Sequence, residues 1–389
     1  MASNSYRRIW LTASWILFFA LLGGCAPSLP VPPPVPQPEI TQPALQQAVW
    51  DDLPSWMDDD PLQALRAFRA SCRALKNRPD WRAVCSTVLA VADDAVAAEQ
   101  FFSQNFTPWQ LVNEDGSVAG LITGYYVPDL NGSRESSSSY PYPLYKKPDD
   151  LLVIDLTALY PELGDYRLRG RLDGQRVVPY FDRAQIDGVV QPLYGNELFW
   201  VGDPVKLFFL QIQGSGRINL DDGSQVMVNY AEQNGHPYRS IGKLLLQRGE
   251  MTRDQMSMQN IAVWGRNHPL KVQQLLNENP SYIFFRPLAE GVVTPPGALG
   301  VALTPERSIA VDPHFVPLGA PVFLSTTWPN SDKPLQRLMV AQDTGGAIKG
   351  RVRADFFWGV GDEAGNYAGR MKQDGNMWLL LPKGMLPKL

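Results

Sequence analysis

Histidine and cysteine are scarce in this chain, and each scarcity closes off a chemistry. The three histidines, His236, His268 and His314, stand too far apart for a metal-ligand spacing, so no metal is expected. Of the three cysteines, Cys25, Cys72 and Cys85, none has a nucleophile's context. Basic charge is not in excess either. A formal net charge of -4 and an isoelectric point near 5.5 argue against a nucleic-acid partner, which usually presents a basic face. Long apolar runs are missing except for Ile9 to Leu22, which is too short to span a bilayer comfortably. The segment Gln211 to Gly216 lacks the Gly-x-Ser-x-Gly pattern that a nucleophile elbow would need around Ser215. No cofactor fingerprint takes its place.

Proline and glycine, by contrast, are plentiful at 34 and 32 among 389 residues, which favours a loop-rich, strand-rich body of two or three domains. Arg7 and Arg8 ahead of the apolar run make residues 1–25 a signal peptide. It ends in Leu22-Gly23-Gly24-Cys25, which resembles a bacterial lipobox; an ordinary signal peptide that stops near a cysteine is the alternative. Residues 26–43 are proline-rich and should run as an extended tether of about 3 Å per residue, roughly 50 Å of reach. Asp58-Asp59-Asp60-Pro61 then opens a helix with Leu62, Leu65, Phe68, Cys72 and Leu75 on one stripe. A second stripe runs from Trp81 to Phe106. Cys72 and Cys85 are either disulfide-bonded or buried as free thiols.

From there the pattern is mainly β. Gly120 to Pro128 is a strand ending in Tyr125 and Tyr126, followed by a serine-rich surface loop. VVPYF, LFWV, VKLFFLQIQGSGRINL and SQVMVNYA read as short strands, and three helices are expected between His236 and Asn277. His236 is a structural histidine at a helix start, or an acid–base group. The stretch most suited to chemistry is Leu338 to Gly361, which holds Asp343 and, twelve residues later, Asp355 beside Phe356-Phe357-Trp358. Carboxylates set against apolar rings have their pKa raised, as a general acid near neutral pH requires. Asp312, after Ser308 to Val311, is a third strand-end acid. Asp362 is expected to cap a helix reaching Lys372, with Asn376 to Leu381 as the closing strand.

Six segments, GYYVP, QIQGSGRI, GHPYRSIG, SIAVDPHFVPLG, AQDTGGAIKG and RADFFWGVG, resemble in that order the membrane-bound lytic murein transglycosylase A family. The last three are similar to its C-terminal 3D domain, named for three aspartates that here fall on Asp312, Asp343 and Asp355. The resemblance implies a mainly β fold with peripheral helices: a double-psi β-barrel main domain, from residues 44–129 and 281–389, with a second β-rich domain inserted at 130–280. Glycan strands of peptidoglycan would lie in a groove between them. It implies a lyase that breaks the β-1,4 bond between N-acetylmuramic acid and N-acetylglucosamine without water, leaving 1,6-anhydromuramoyl ends. Asp355 would be acid and then base, with Asp343 supporting it. Asp312 would brace the barrel or touch substrate, and Tyr125, Tyr126 and Gln211 are weaker substrate-binding candidates. Lipidation at Cys25, followed by Ala26, would hold a monomer on the periplasmic face of the outer membrane. The serine-rich segment after Pro128 departs from the family's pattern and bears on access to the groove.

The chemistry is consistent with one essential carboxylate. Ordinary glycosidases need two, one to protonate the leaving oxygen and one to attack or activate water. A transglycosylase uses the sugar's own C6 hydroxyl, and intramolecular attack can be worth several kcal/mol. The alternatives are a hydrolase that uses Asp343 and Asp355 as its pair, and a peptidoglycan-binding barrel without chemistry. Whether cleavage is exo or endo is left open.

Overall fold

The computed structural model describes residues 43–387 apart from position 165, so Cys25, the signal peptide and nearly all of the tether lie outside the described residues. Among the described residues, no helix is long and apolar enough to cross a membrane.

The N-terminal helices form as their caps dictate. Asp60 accepts a hydrogen bond from the Leu62 amide at 3.1 Å and Pro61 occupies the first turn, starting the helix Pro61–Leu75. The run after Trp81 is not continuous, as the apolar stripe suggested. Pro79–Val88 and Ala95–Asn105 are separate helices, the second capped by Asp94, whose side chain accepts from the Ala97 amide. A disulfide joins Cys72 and Cys85 across the first two helices. Phe68, Phe101, Phe102 and Phe106 interlock beneath them with ring centroids 5.2 to 6.1 Å apart.

These helices pack on a closed ring of strands. Gly120–Val127 runs parallel to Arg353–Val360, which is antiparallel to Ser308–Val311. Ser308–Val311 is parallel to Pro334–Asp343, and antiparallel pairings through Pro321–Thr327 and Lys372–Pro382 return to Gly120–Val127. Ile122, Ile309, Phe323, Leu338, Phe356 and Leu379 of the ring are all buried, in one core shared with the helices packed on it. The strands Phe106–Leu111 and Leu45–Gln47 extend the sheet outside the ring. Helix Asp362–Ala368 lies against the ring and is one turn shorter than expected; the chain from Lys372 is already strand. Its close approach requires glycine at position 124, where an added Cβ would sit 2.7 Å from Trp358 Nε1 and 2.9 Å from Ala368 Cα.

A second sheet of six strands is built from Asp129–Ser133, Tyr142–Tyr145, Glu197–Val201, Ser215–Leu220, Gln225–Gln233 and Ile283–Pro287. The last of these lies beyond the expected boundary at residue 280. Residues 204–213, most of which were read from the sequence as strand, are a helix instead. Asp203 caps the start, and Gly214, at φ 77°, stops it in the left-handed region. Leu207 and Leu210 pack on the sheet while Val205 and Phe208 pack on the helices Ile241–Gln247, Met258–Asn267 and Pro269–Asn277. With partners on two faces the helix carries apolar residues on both, so its period disappears from the sequence.

Candidate active site

One irregularity in the barrel brings the acids together. Ile309 faces Ala341 across the ladder, but Ala310 faces Asp343, so Gln342 is the extra residue of a bulge. Gln342 is fully buried and held by its side chain: Nε2 donates to Ala67 O at 3.0 Å and to Ser71 Oγ at 2.8 Å, both on the first helix. On its other edge Ala310 faces Asp355, which in turn faces Thr123. Side chains directly opposite one another share a face, so Asp343, Ala310, Asp355 and Thr123 form one row across four strands. With Ala310 between them, the two acid backbones lie about 10 Å apart.

The aromatic block after Asp355 divides as strand alternation demands. Phe356 and Trp358 point into the barrel core, and Phe357 alone shares the face of Asp355. The Phe357 ring lies 5.1 Å from that of Tyr125, and both join Val127, Leu303 and Met227 in a small apolar cluster. Met227 belongs to the six-stranded sheet, so the acid row lies where that sheet meets the barrel.

The three aspartates have different surroundings. Asp355 is half-buried, and burial pushes its pKa up to about 6. The Thr123 hydroxyl, which donates to Oδ1 at 2.7 Å, and the nearby Arg353 charge pull the other way, while Asp343 adds to the rise. Asp343 is also raised by burial, against three donors: the Ala298 and Thr344 amides, each 2.9 Å from Oδ1, and the Tyr125 hydroxyl 3.1 Å from Oδ2. Tyr125 itself is held neutral, its pKa raised by burial and then by both acids. For Asp312, burial works upward but is outweighed by the Gly350 amide at 3.0 Å and by His314, whose Nδ1 lies 2.8 Å away; its pKa ends below the usual value. It is only 4% exposed and ties the loop before Arg351 to the barrel. Asp343 and Asp355 are both partly exposed, but Asp355 has the less complete set of donors, and with a pKa of about 6 it holds a proton into the mildly acidic range.

Not every candidate joins this row. Tyr126 points to the opposite face of its strand, buried against helix Asp362–Ala368 with its hydroxyl 3.5 Å from Met258 Sδ. Gln211 is buried in the second sheet's helix, where it accepts from Arg183, and it does not reach the aspartates. His236 contacts the Tyr180 carbonyl oxygen at 2.7 Å, a structural role. Thr123, Arg353 and Ala298 were not singled out from sequence. Arg353 opens the RADFFWGVG segment and Thr123 stands immediately before GYYVP; Ala298 lies on a distant loop and carries no local signal. Among the described residues, no group of three or more histidine, cysteine or acidic side chains could hold a metal ion.

Two family models match this chain: the MltA specific insert domain over residues 121–286, and the 3D domain over residues 307–381. Membrane-bound lytic murein transglycosylase A of Escherichia coli K12 is 34% identical over 279 residues, covering 70% of this chain and 68% of its own. The chain belongs to the membrane-bound lytic murein transglycosylase A family. A crystal structure of the Neisseria gonorrhoeae member is 40% identical and superposes with a TM-score of 0.80, over 88% of this chain and 94% of its own. The E. coli enzyme has also been solved with bound chitohexaose; it is 28% identical, with a TM-score of 0.66 over 87% and 95% of the two chains. The expected sheet-rich fold with few helices agrees with these structures.

Proposed function

We propose that this protein is a peptidoglycan lytic transglycosylase in which Asp355 acts alone, first as acid and then as base. The observation that carries the reading is the state of Asp355: recessed, raised to about 6, and still reachable beside a second, fully engaged acid. Protonated Asp355 gives its proton to the glycosidic oxygen as the muramic C1–O bond breaks. The carboxylate then takes the proton of the C6 hydroxyl as that oxygen closes on C1, which restores Asp355 and needs no water.

Asp343 stabilises the positive charge that develops on the sugar ring. Both of its oxygens accept hydrogen bonds, which favours a fixed charge over a nucleophile or a base for water. The same observation weighs against a two-carboxylate hydrolase. Tyr125 positions Asp343 and offers a ring edge to substrate. The closed ring with two parallel pairs is the double-psi barrel of the reading, and the glycan strand runs in a groove between it and the inserted domain. The proposed division keeps 44–129 and 281–389 as main domain and 130–280 as insert, with strand Ile283–Pro287 added to the insert. Cys25 carries the lipid that holds the enzyme, as a monomer, at the periplasmic face of the outer membrane.

The test is product mass. Full-length protein is incubated with purified peptidoglycan and the fragments are weighed. Anhydro ends are expected. Ends that have gained water would move the assignment to a hydrolase, and intact glycan would leave only binding.

A further inference from the structure

Beside the acid row stands a guanidinium that the mechanism above does not use. Arg353 lies two residues before Asp355 on the same strand and is anchored by its Nη1 on two backbone oxygens, those of Leu121, at 3.2 Å, and Ala354. Its Nη2 donates to Thr123 Oγ1 at 2.8 Å, and Thr123 Oγ1 lies 2.7 Å from Asp355 Oδ1.

The direction of this chain is forced by donor and acceptor capacity. A guanidinium has five N–H donors and no acceptor, whereas a threonine hydroxyl has one proton and two lone pairs. With Arg353 filling an acceptor site of Thr123, the hydroxyl proton is directed to Oδ1 of Asp355. Oδ1 is then occupied as an acceptor whether the acid is protonated or not. The mobile proton is left to Oδ2.

We propose that Arg353 is a positioning residue: through the Thr123 hydroxyl it commits Oδ1 of Asp355 to accepting, so that Oδ2 is the oxygen that gives up and recovers the catalytic proton. This rests on the acid–base role assigned to Asp355 above. No charge on Arg353 changes during turnover, and the proton balance is that of Asp355 alone. The arrangement also limits how far burial raises the acid, because both the donor and the positive charge favour the carboxylate. The other charged or titratable groups around Asp355 are Asp343 and Tyr125, with Lys372 opposite Thr123 on the neighbouring strand. All three remain in the variants below.

The experiment uses full-length protein and measures turnover of purified peptidoglycan against pH. Asp355 must be protonated at the first step, so the rate falls as pH rises through its pKa. Arg353→Met removes the donor and the charge and keeps an apolar stem. It is expected to move the midpoint of that fall to higher pH and to lower kcat about 10-fold with little change in KM. Arg353→Lys, which keeps a charge and a donor, should return part of both effects. In a Thr123→Val background the Arg353→Met effect on kcat should largely disappear, because the intermediary is already gone. An unchanged profile and kcat in folded Arg353→Met would overturn the proposal, as would a full additional loss in the Thr123→Val background. Asp355→Asn is run alongside. If that variant still turns over, the acid–base reading itself has failed, a result distinct from failure of the Arg353 relay.

Discussion

The barrel and the inserted sheet each bury an ionisable cluster, and only one has the makings of a site. In the insert, Arg183 is 3% exposed, lies over the Phe208 and Tyr282 rings with its guanidinium carbon 4.8 Å from each centroid, and donates to Asn279 O at 3.1 Å and Ser281 O at 2.7 Å. It pairs with Asp187 at 3.9 Å, whose pKa, like that of Asp355, is raised by burial. A shifted acid therefore does not by itself distinguish the two regions. What differs is closure: rings and backbone carbonyls surround Arg183, whereas Asp355 keeps part of its surface exposed. Burial with satisfied partners holds a fold in register, while burial with solvent access and an incomplete set of donors leaves a proton available for transfer.

The comparison can be broken most severely at Asp355. Asp355→Asn should lower turnover of peptidoglycan by about 10³-fold or more while glycan pull-down is retained. Near-normal turnover by that variant would end the single-acid mechanism. Arg183→Met is the counterpart in the insert and should leave turnover at 25 °C intact. It strips Gln211, Asn279 and Ser281 of their buried guanidinium donor, so denaturant unfolding should show a loss of about 2 to 3 kcal/mol. If activity collapsed with stability unchanged, the insert's cluster would be part of the site. Asp343→Asn should slow turnover by about 10²-fold, mainly in kcat, as expected for lost charge stabilisation.

The smallest effect concerns stability. Asp355 has a folded pKa of about 6, above the unfolded value near 3.9, so the fold favours its neutral form. Stability from this group is fully present below about pH 4 and is lost as pH rises through 6. Allowing for its partial exposure, the loss is roughly 1 to 2 kcal/mol at neutral pH. Asp355→Asn should then melt a few degrees above the parent at pH 8 and match it near pH 4. A lower melting temperature at pH 8 would mean that the carboxylate is well solvated, contrary to the geometry.

Local signals were legible wherever they act locally. Asp60-Pro61 starts its helix, the Gly120–Val127 strand forms where the alternation places it, and Asp343 and Asp355 stand out beside their glycines and rings. Other features were hidden because their cause is remote. The helix Pro204–Gln213 has no apolar stripe since partners cover it on both sides. The three rings after Asp355 look like one block in the sequence, but the pleat of the strand sends two of them into the core.

The sequence by itself determined which residue types are available: acids at strand ends, few histidines, many prolines and a sheet-rich body. Only the tertiary structure decided which acid does what. That choice depends on Gln342, whose amide is tied to the first helix some 270 positions earlier in the chain, making the bulge that turns Asp343 toward Asp355. It depends equally on Thr123, 232 residues before its partner, which supplies Asp355 with a donor from a neighbouring strand. Periodicity reports a residue's own strand or helix, while a carboxyl's pKa is set by whatever lies within a few ångströms of it, and those neighbours come from everywhere in the chain.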